Sequence, residues 1–173
     1  ILSLNAVGLE KQPGFKITLP LLNRTIMGLI YGDLFMRVLY ATRPYEKVKG
    51  SANALYKKWN EIAKENVKSG SKRTFNKNIE QIVKEFDELE LLNIKKPKVG
   101  LVGEILVKFH PTANNNVVDI IEENGAEAVM PDLMDFFFYT AYDQEFKYRY
   151  LGDSKVKRNI YMMAIGFLES YSK

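Results

Sequence analysis

Residues 98–132 read KVGLVGEILVKFHPTANNNVVDIIEENGAEAVMPD, and how this run folds decides the fold. Val99–Val102 is a short apolar run punctuated by Gly100 and Gly103, the pattern of a strand buried on both faces. From Glu104 to His110 the chain stays extended by pattern, with Ile105, Val107 and Phe109 alternating against Glu104, Lys108 and His110. Pro111 breaks that run. Thr112 or one of Asn114–Asn116 caps a helix carrying Val117, Val118, Ile120 and Ile121, and Gly125 ends it where a left-handed residue is wanted. Ala126–Met130 is then the next strand. Strands separated by a helical crossover pair in parallel and connect right-handedly. In such a sheet, ligands sit outside the carboxyl ends of the strands, which is where residues 104–116 fall.

On the amino-terminal side, Ile1–Asn5 alternates weakly as a short strand and Ala6–Thr18, with Gly8, Pro13 and Gly14, is a loop. Leu19–Ala41 is long and apolar, but Asn23, Arg24, Asp33 and Arg37 interrupt it at a cost a bilayer would not repay. It reads as a buried helix of a soluble core, with Gly28 and Gly32 spaced to let a neighbouring helix pack closely. Arg43-Pro44-Tyr45 ends it. Ser51 caps a second helix with Leu55, Tyr56, Trp59, Ile62 and Ala63 on one face, and Trp59 is core. After the Lys68–Lys72 turn, Phe75, Ile79, Ile82, Val83, Phe86 and Leu89 repeat at helical spacing. Beyond residue 132, Pro131-Asp132 opens a helix with Phe136–Phe138. Ser154 caps a last one with Ile160, Met163, Ala164, Phe167, Leu168 and Tyr171 on one stripe.

The expected order is β, three helices, β, α, β, α, α. That is an α/β fold with a small parallel sheet of about three strands, flavodoxin- or Rossmann-like, and a three-helix insertion. Residues 1–97 supply a strand plus the helical segment and residues 98–173 the α/β segment, packed as one domain. A sheet this small, and a chain opening on Ile1 within a strand, suggest part of a longer parent polypeptide whose neighbours complete the sheet.

At 173 residues, 46% hydrophobic and 27% charged, with ten Phe and ten Tyr, the chain has material for a buried core. It has no cysteine and one histidine. That excludes a disulfide framework, a thiolate zinc site, an iron–sulfur cluster held by this chain alone and a cysteine nucleophile. No signal peptide pattern leads the sequence. Charge is unevenly spread: residues 43–98 carry fourteen basic and eight acidic groups, residues 99–143 one basic and eight acidic. Such segments either bind a polyanion or complement each other and solvate helix faces, the second being the commoner arrangement.

Gly100-x-x-Gly103-Glu104 follows a strand but matches neither a phosphate-binding loop nor a dinucleotide fingerprint. The candidate ligand-binding residues are Glu104, Lys108, His110, Asn114, Asn115 and Asn116. Glu104 is the leading functional carboxylate, with a bond to nearby backbone or an arginine as its competing role. His110 has the titration range of a general acid or base, although a lone loop histidine is more often structural. The three asparagines present amides to a phosphate or carboxylate, or else cap the following helix, which is the favoured reading. Lys147–Tyr150 and Lys155–Arg158 mix basic and aromatic residues as nucleic-acid surfaces do. They are short and flank a Gly-Asp turn, so exposed helix ends fit better. No metal site and no catalytic constellation are assigned.

The runs SLNAVGLEKQPGFKITLPLLNR, YGDLFMRVLY, RPYE, GSANALYKKW, KVGLVGEILVKFHPTANNNVVDIIEENGAEAVMPDLMDFF and KYRYLG resemble 2-hydroxyacyl-CoA dehydratase-related proteins. The similarity is closest to the large fusions that join an acyl-CoA dehydratase activase ATPase to a dehydratase-like part. The resemblance implies a cytoplasmic, anaerobic system in which ATP hydrolysis drives an electron through 4Fe-4S clusters toward radical dehydration of a 2-hydroxyacyl-CoA. ATP and the cluster belong to the parent, since this chain lacks cysteine and phosphate loops. The implied role is a non-autonomous domain that binds substrate or contacts partner domains, the activase or the dehydratase subunit. The alternatives are an anion or CoA-thioester binding module and a helical scaffold for partner docking, in each case without catalysis, nucleic acid or membrane.

Overall fold

The computed structural model describes residues 18–171. Among them the chain forms seven α-helices and one two-stranded parallel sheet: α1 (Leu19–Thr42), α2 (Ser51–Ser69), α3 (Lys72–Asp87), β1 (Lys98–Gly100), α4 (Ile105–Phe109), α5 (Val117–Glu123), β2 (Glu127–Val129), α6 (Leu133–Leu151) and α7 (Lys155–Glu169). A 3₁₀ turn, Arg43–Tyr45, follows α1. The protein is therefore mostly helical, and the expected α/β fold around a three-stranded flavodoxin- or Rossmann-like sheet is wrong. The strand expected at Ile1–Asn5 lies outside the described residues.

The core is made by the helices that the sequence cast as an insertion. Thr18 caps α1, its hydroxyl accepting from the Leu21 amide at 3.3 Å. Met27, Tyr31, Phe35 and Leu39 of α1 pack against Ala52, Trp59 and Ala63 of α2 and Phe75, Ile82 and Phe86 of α3. Trp59 is core, as its spacing implied, and its indole N–H donates to Glu85 Oε2 at 2.9 Å. A buried polar knot fixes the register of the three helices. The Tyr31 hydroxyl donates to Asn66 Oδ1 at 2.7 Å and accepts from Asn78 Nδ2 at 2.9 Å. Ser51 is not the cap of α2 but its first residue. Gly50, with φ +94°, is the cap, and Glu46 reaches back to accept from the Gly50 and Ala52 amides.

Three short-range effects account for the overturned sheet. First, Glu104 caps α4: its carboxylate accepts from the amides of Leu106 at 2.9 Å and Val107 at 3.1 Å. The expected extended run 104–110 is thereby wound into helix; alternation over so few residues carries less weight than a satisfied N-terminus. Second, each strand has only three residues, and all of β1 is exposed, so it is not a strand buried on both faces. Third, α1 lies where a sheet layer would cover: it packs on β2 and α6 as well as on α2 and α3. What survives is the parallel pairing of β1 with β2, Lys98 opposite Glu127.

Two ionic joints tie the second half to α1. Arg43, just past α1, holds Glu122 of α5 at 2.6 Å and Asp119 at 3.2 Å. Asp33, inside α1, accepts from the amides of Leu133 and Met134, both at 2.8 Å, and so caps α6 from across the fold. Arg37 pairs with Asp132 beside it. The polar residues that argued against a membrane reading of this helix are thus partly inter-helix fasteners, and among the described residues no helix is long and apolar enough to cross a membrane.

α6 and α7 form an antiparallel hairpin whose base docks on α1. The expected apolar stripe of α7 is not its buried face: Ile165, outside that stripe, is buried, while Ile160 and Met163 are exposed. Arg158 of α7 also meets α6, pairing with Glu145 and lying over the Tyr148 ring. Gly28 and Gly32 do not receive a neighbouring helix either. A Cβ added at either would meet nothing within 4 Å.

Candidate functional site

The segment from Glu104 to Asn116 leaves β1 at its carboxyl end, beside the end of its parallel partner β2. Its geometry is set by one asparagine. Asn114 Nδ2 donates to the carbonyl oxygens of Lys108 at 3.0 Å and Val107 at 3.2 Å, and its Oδ1 accepts from the Val117 amide at 3.3 Å. One side chain thereby closes the end of α4 and opens α5. Asn115 and Asn116 both sit in the left-handed region, at φ +56° and +53°, which asparagine tolerates better than most residues. Asn116 holds the cap position of α5, but the capping oxygen comes from Asn114.

The six candidate residues separate into two groups. Lys108, Asn114 and Asn116 come together on a cavity of about 240 Å³, with Tyr40, Arg43 and Tyr56 facing them from the helical half. Glu104, His110 and Asn115 do not line it. Glu104 is occupied as the α4 cap, and His110 is exposed with Nδ1 accepting from the Ala113 amide at 3.3 Å. Tyr40, Arg43 and Tyr56 escaped the sequence reading because they lie more than fifty residues upstream. The only local signal was a cation placed at a helix end, at Arg43.

Electrostatically the cavity holds one committed cation and one uncommitted one. Burial works against the Arg43 charge, but the Glu122 bond and the nearby carboxylates outweigh it and hold the guanidinium above its ordinary value. The phenol of Tyr40 is raised by burial, with Arg43 pulling the other way. Lys108 has no ion pair among the described residues; its ammonium lies 4.4 Å from the centre of the Phe109 ring. The cavity thus presents an ammonium, two phenols and an amide-rich rim, together with the Asp119 carboxylate that pairs with Arg43, and no carboxylate–histidine or nucleophile–base pair. Among the described residues no group of three or more His, Asp or Glu could hold a metal ion.

Four of the five cations in the basic–aromatic patches are held in ion pairs. Lys147 pairs with Asp143, Arg149 and Arg158 with Glu145, and Lys157 with Asp153, leaving little for a phosphate backbone. Comparison with protein-family models, with curated proteins and with solved structures finds no match.

Proposed function

We propose that this chain is a non-catalytic, mostly helical domain of a protein of the 2-hydroxyacyl-CoA dehydratase/activase type, and that it serves there as a docking unit for the parent's other domains. One observation carries the reading. The outer half of the α6–α7 hairpin exposes large apolar side chains, with Phe146 54%, Tyr150 70%, Ile160 60% and Met163 76% accessible. Apolar surface on this scale belongs to an interface. The sequence resemblance supplies the identity of the partner: the ATPase and cluster-bearing parts of the same polypeptide.

The test is co-purification of this chain with the remaining domains of the parent, expressed as separate polypeptides. The wild-type chain is expected to be retained, and a Phe146→Asp/Met163→Asp variant with unchanged helical circular dichroism to be lost. The chain alone turns over neither ATP nor a 2-hydroxyacyl-CoA. ATP hydrolysis above a blank, or equal retention of the variant, contradicts the reading. The cavity around Lys108, Asn114 and Asn116 favours a second role, binding of a small anion or CoA thioester. That role predicts a ligand-induced rise in melting temperature that Lys108→Ala removes.

A further inference from the structure

Ile165 of α7 is buried and Arg158 pairs with Glu145 of α6, so these two residues mark the side of α7 that meets α6. At about 100° per residue, Val156, Ile160, Met163 and Phe167 fall together on roughly the opposite side. The row is largely uncovered among the described residues: Val156 is 68% accessible, Ile160 60% and Met163 76%, while Phe167, whose ring meets Tyr171 edge-on, keeps 39%. Asn159 flanks it on one side and Ala164 on the other, both exposed and small enough to let another helix approach. Lys157 lies further round and is held by Asp153. Free side chains of this size carry ~200 Å² each, so the row leaves roughly 500 Å² of apolar surface open on each copy and about 1,000 Å² in a pair, the threshold of a specific interface.

We infer that α7 pairs antiparallel with α7 of a second copy of this chain, through Val156, Ile160, Met163 and Phe167. Size matching selects the occupant. A two-fold axis across the middle of the row lays Val156 on the second copy's Phe167 and Ile160 on its Met163, the smallest side chain against the largest and the two intermediate ones against each other. The layers then have even volume, as a packed seam requires. Parallel pairing would stack each residue on its own copy and leave the layers uneven. It would also set Lys155, which has no ion pair among the described residues, beside its counterpart, and align the two helix dipoles; antiparallel pairing separates the ammonium groups and opposes the dipoles. Such an isologous contact closes at two copies. The inference goes beyond the docking role: it gives this face of α7 to a second copy and leaves Phe146 and Tyr150 of α6 to the parent's other domains.

Sedimentation velocity of the purified chain tests the pairing. With so small an interface, a monomer–dimer equilibrium with a dissociation constant on the order of 10⁻⁵ M is expected, and no larger species. Met163→Glu changes a side chain that packs little within one copy, so helical circular dichroism is kept while dimerisation weakens tenfold or more. Phe146→Asp dimerises like wild type. The chain has no cysteine, so Val156→Cys and Phe167→Cys read the orientation. In the antiparallel pair the two Val156 positions lie about 16 Å apart along the helices, too far for a disulfide. Each variant alone therefore stays uncross-linked under oxidation, and their mixture forms a disulfide dimer. A chain that stays monomeric well above that concentration, a dimer that Met163→Glu leaves intact or Phe146→Asp dissolves, or cross-linking of Val156→Cys alone as strong as in the mixture overturns the proposal. Retention of the parent's other domains by Met163→Glu, and its loss in Phe146→Asp, is read separately by co-purification, so failure of the pairing and failure of the docking role remain distinguishable.

Discussion

Asp33 shows how much one carboxylate does in this fold. It is buried, and burial comes first among the influences that raise its pKa above the ordinary aspartate value; the Met134 and Leu133 amides pull it down, and Asp132 and Asp135 push it up. The unfolded chain loses this proton near pH ~4, whereas the folded chain keeps it to a higher pH. Between those two values the folded state binds more protons, so stability falls as pH rises through the window. Asp33→Asn cannot titrate and turns an N–H donor toward one of the two amides. It is expected to cost about 1 kcal/mol at neutral pH, the value of a helix cap. The wild-type advantage should be larger at the acid end and shrink across the window. Urea melts of both proteins at several pH values measure this, and a gap that widens with rising pH contradicts it. Nothing in the sequence around Asp33 pointed to that cap. The partner amides are a hundred residues away, and sequence reading registers a charge in an apolar helix without its destination.

Elements were legible where their signals were local. The helices near 51–69, 72–87 and 133–151 follow from three-and-four spacing and from Gly-, Ser- or Pro-marked ends, and Gly125 takes φ +82° just past α5 as its position required. The misreadings came from signals that two structures share. Ile105, Val107 and Phe109 alternate like a strand, but Glu104 satisfies the amides of a helix instead. Gly28 and Gly32 fit the small-residue spacing of a close helix crossing and instead floor an open groove. That difference has a thermodynamic consequence. Each glycine has ordinary helical backbone and room for a methyl group, so Ala is compatible with both positions. Gly28→Ala and Gly32→Ala should each stabilise the chain by roughly 0.5–1 kcal/mol, chiefly by restricting the unfolded state. A close helix–helix contact over these glycines would reverse the sign, and thermal or urea denaturation reads it directly.

For the molecule as a whole, the decisive quantity is where apolar area went. Burial concentrates in α1–α3, whose side chains fill the core, while α6 buries only Met134 and Ala141 and α7 only Ile165. Each of these five helices carries apolar residues, and their pattern could not say which would find partners within residues 18–171. The candidate loop was legible as a place beyond the carboxyl ends of two parallel strands, but the groups that complete its cavity come from the helical half, so only half of the site could be read. This imbalance sets local stability. Opening free energies follow buried apolar contact, so the hairpin tip, held mainly by ion pairs such as Arg158–Glu145, lies at the low end and α1–α3 near the global value. Native-state hydrogen exchange should therefore show amides of residues 142–163 exchanging well before those of residues 26–39 and 75–86, and added salt should widen the difference by screening the tip's ion pairs. Covering the tip by a partner removes that difference: in the co-purified complex with the parent's other domains, protection of residues 142–163 rises toward that of α1. Equal protection of the two regions in the free chain would mean that the hairpin's apolar side chains are already covered, and the docking role would lose its surface.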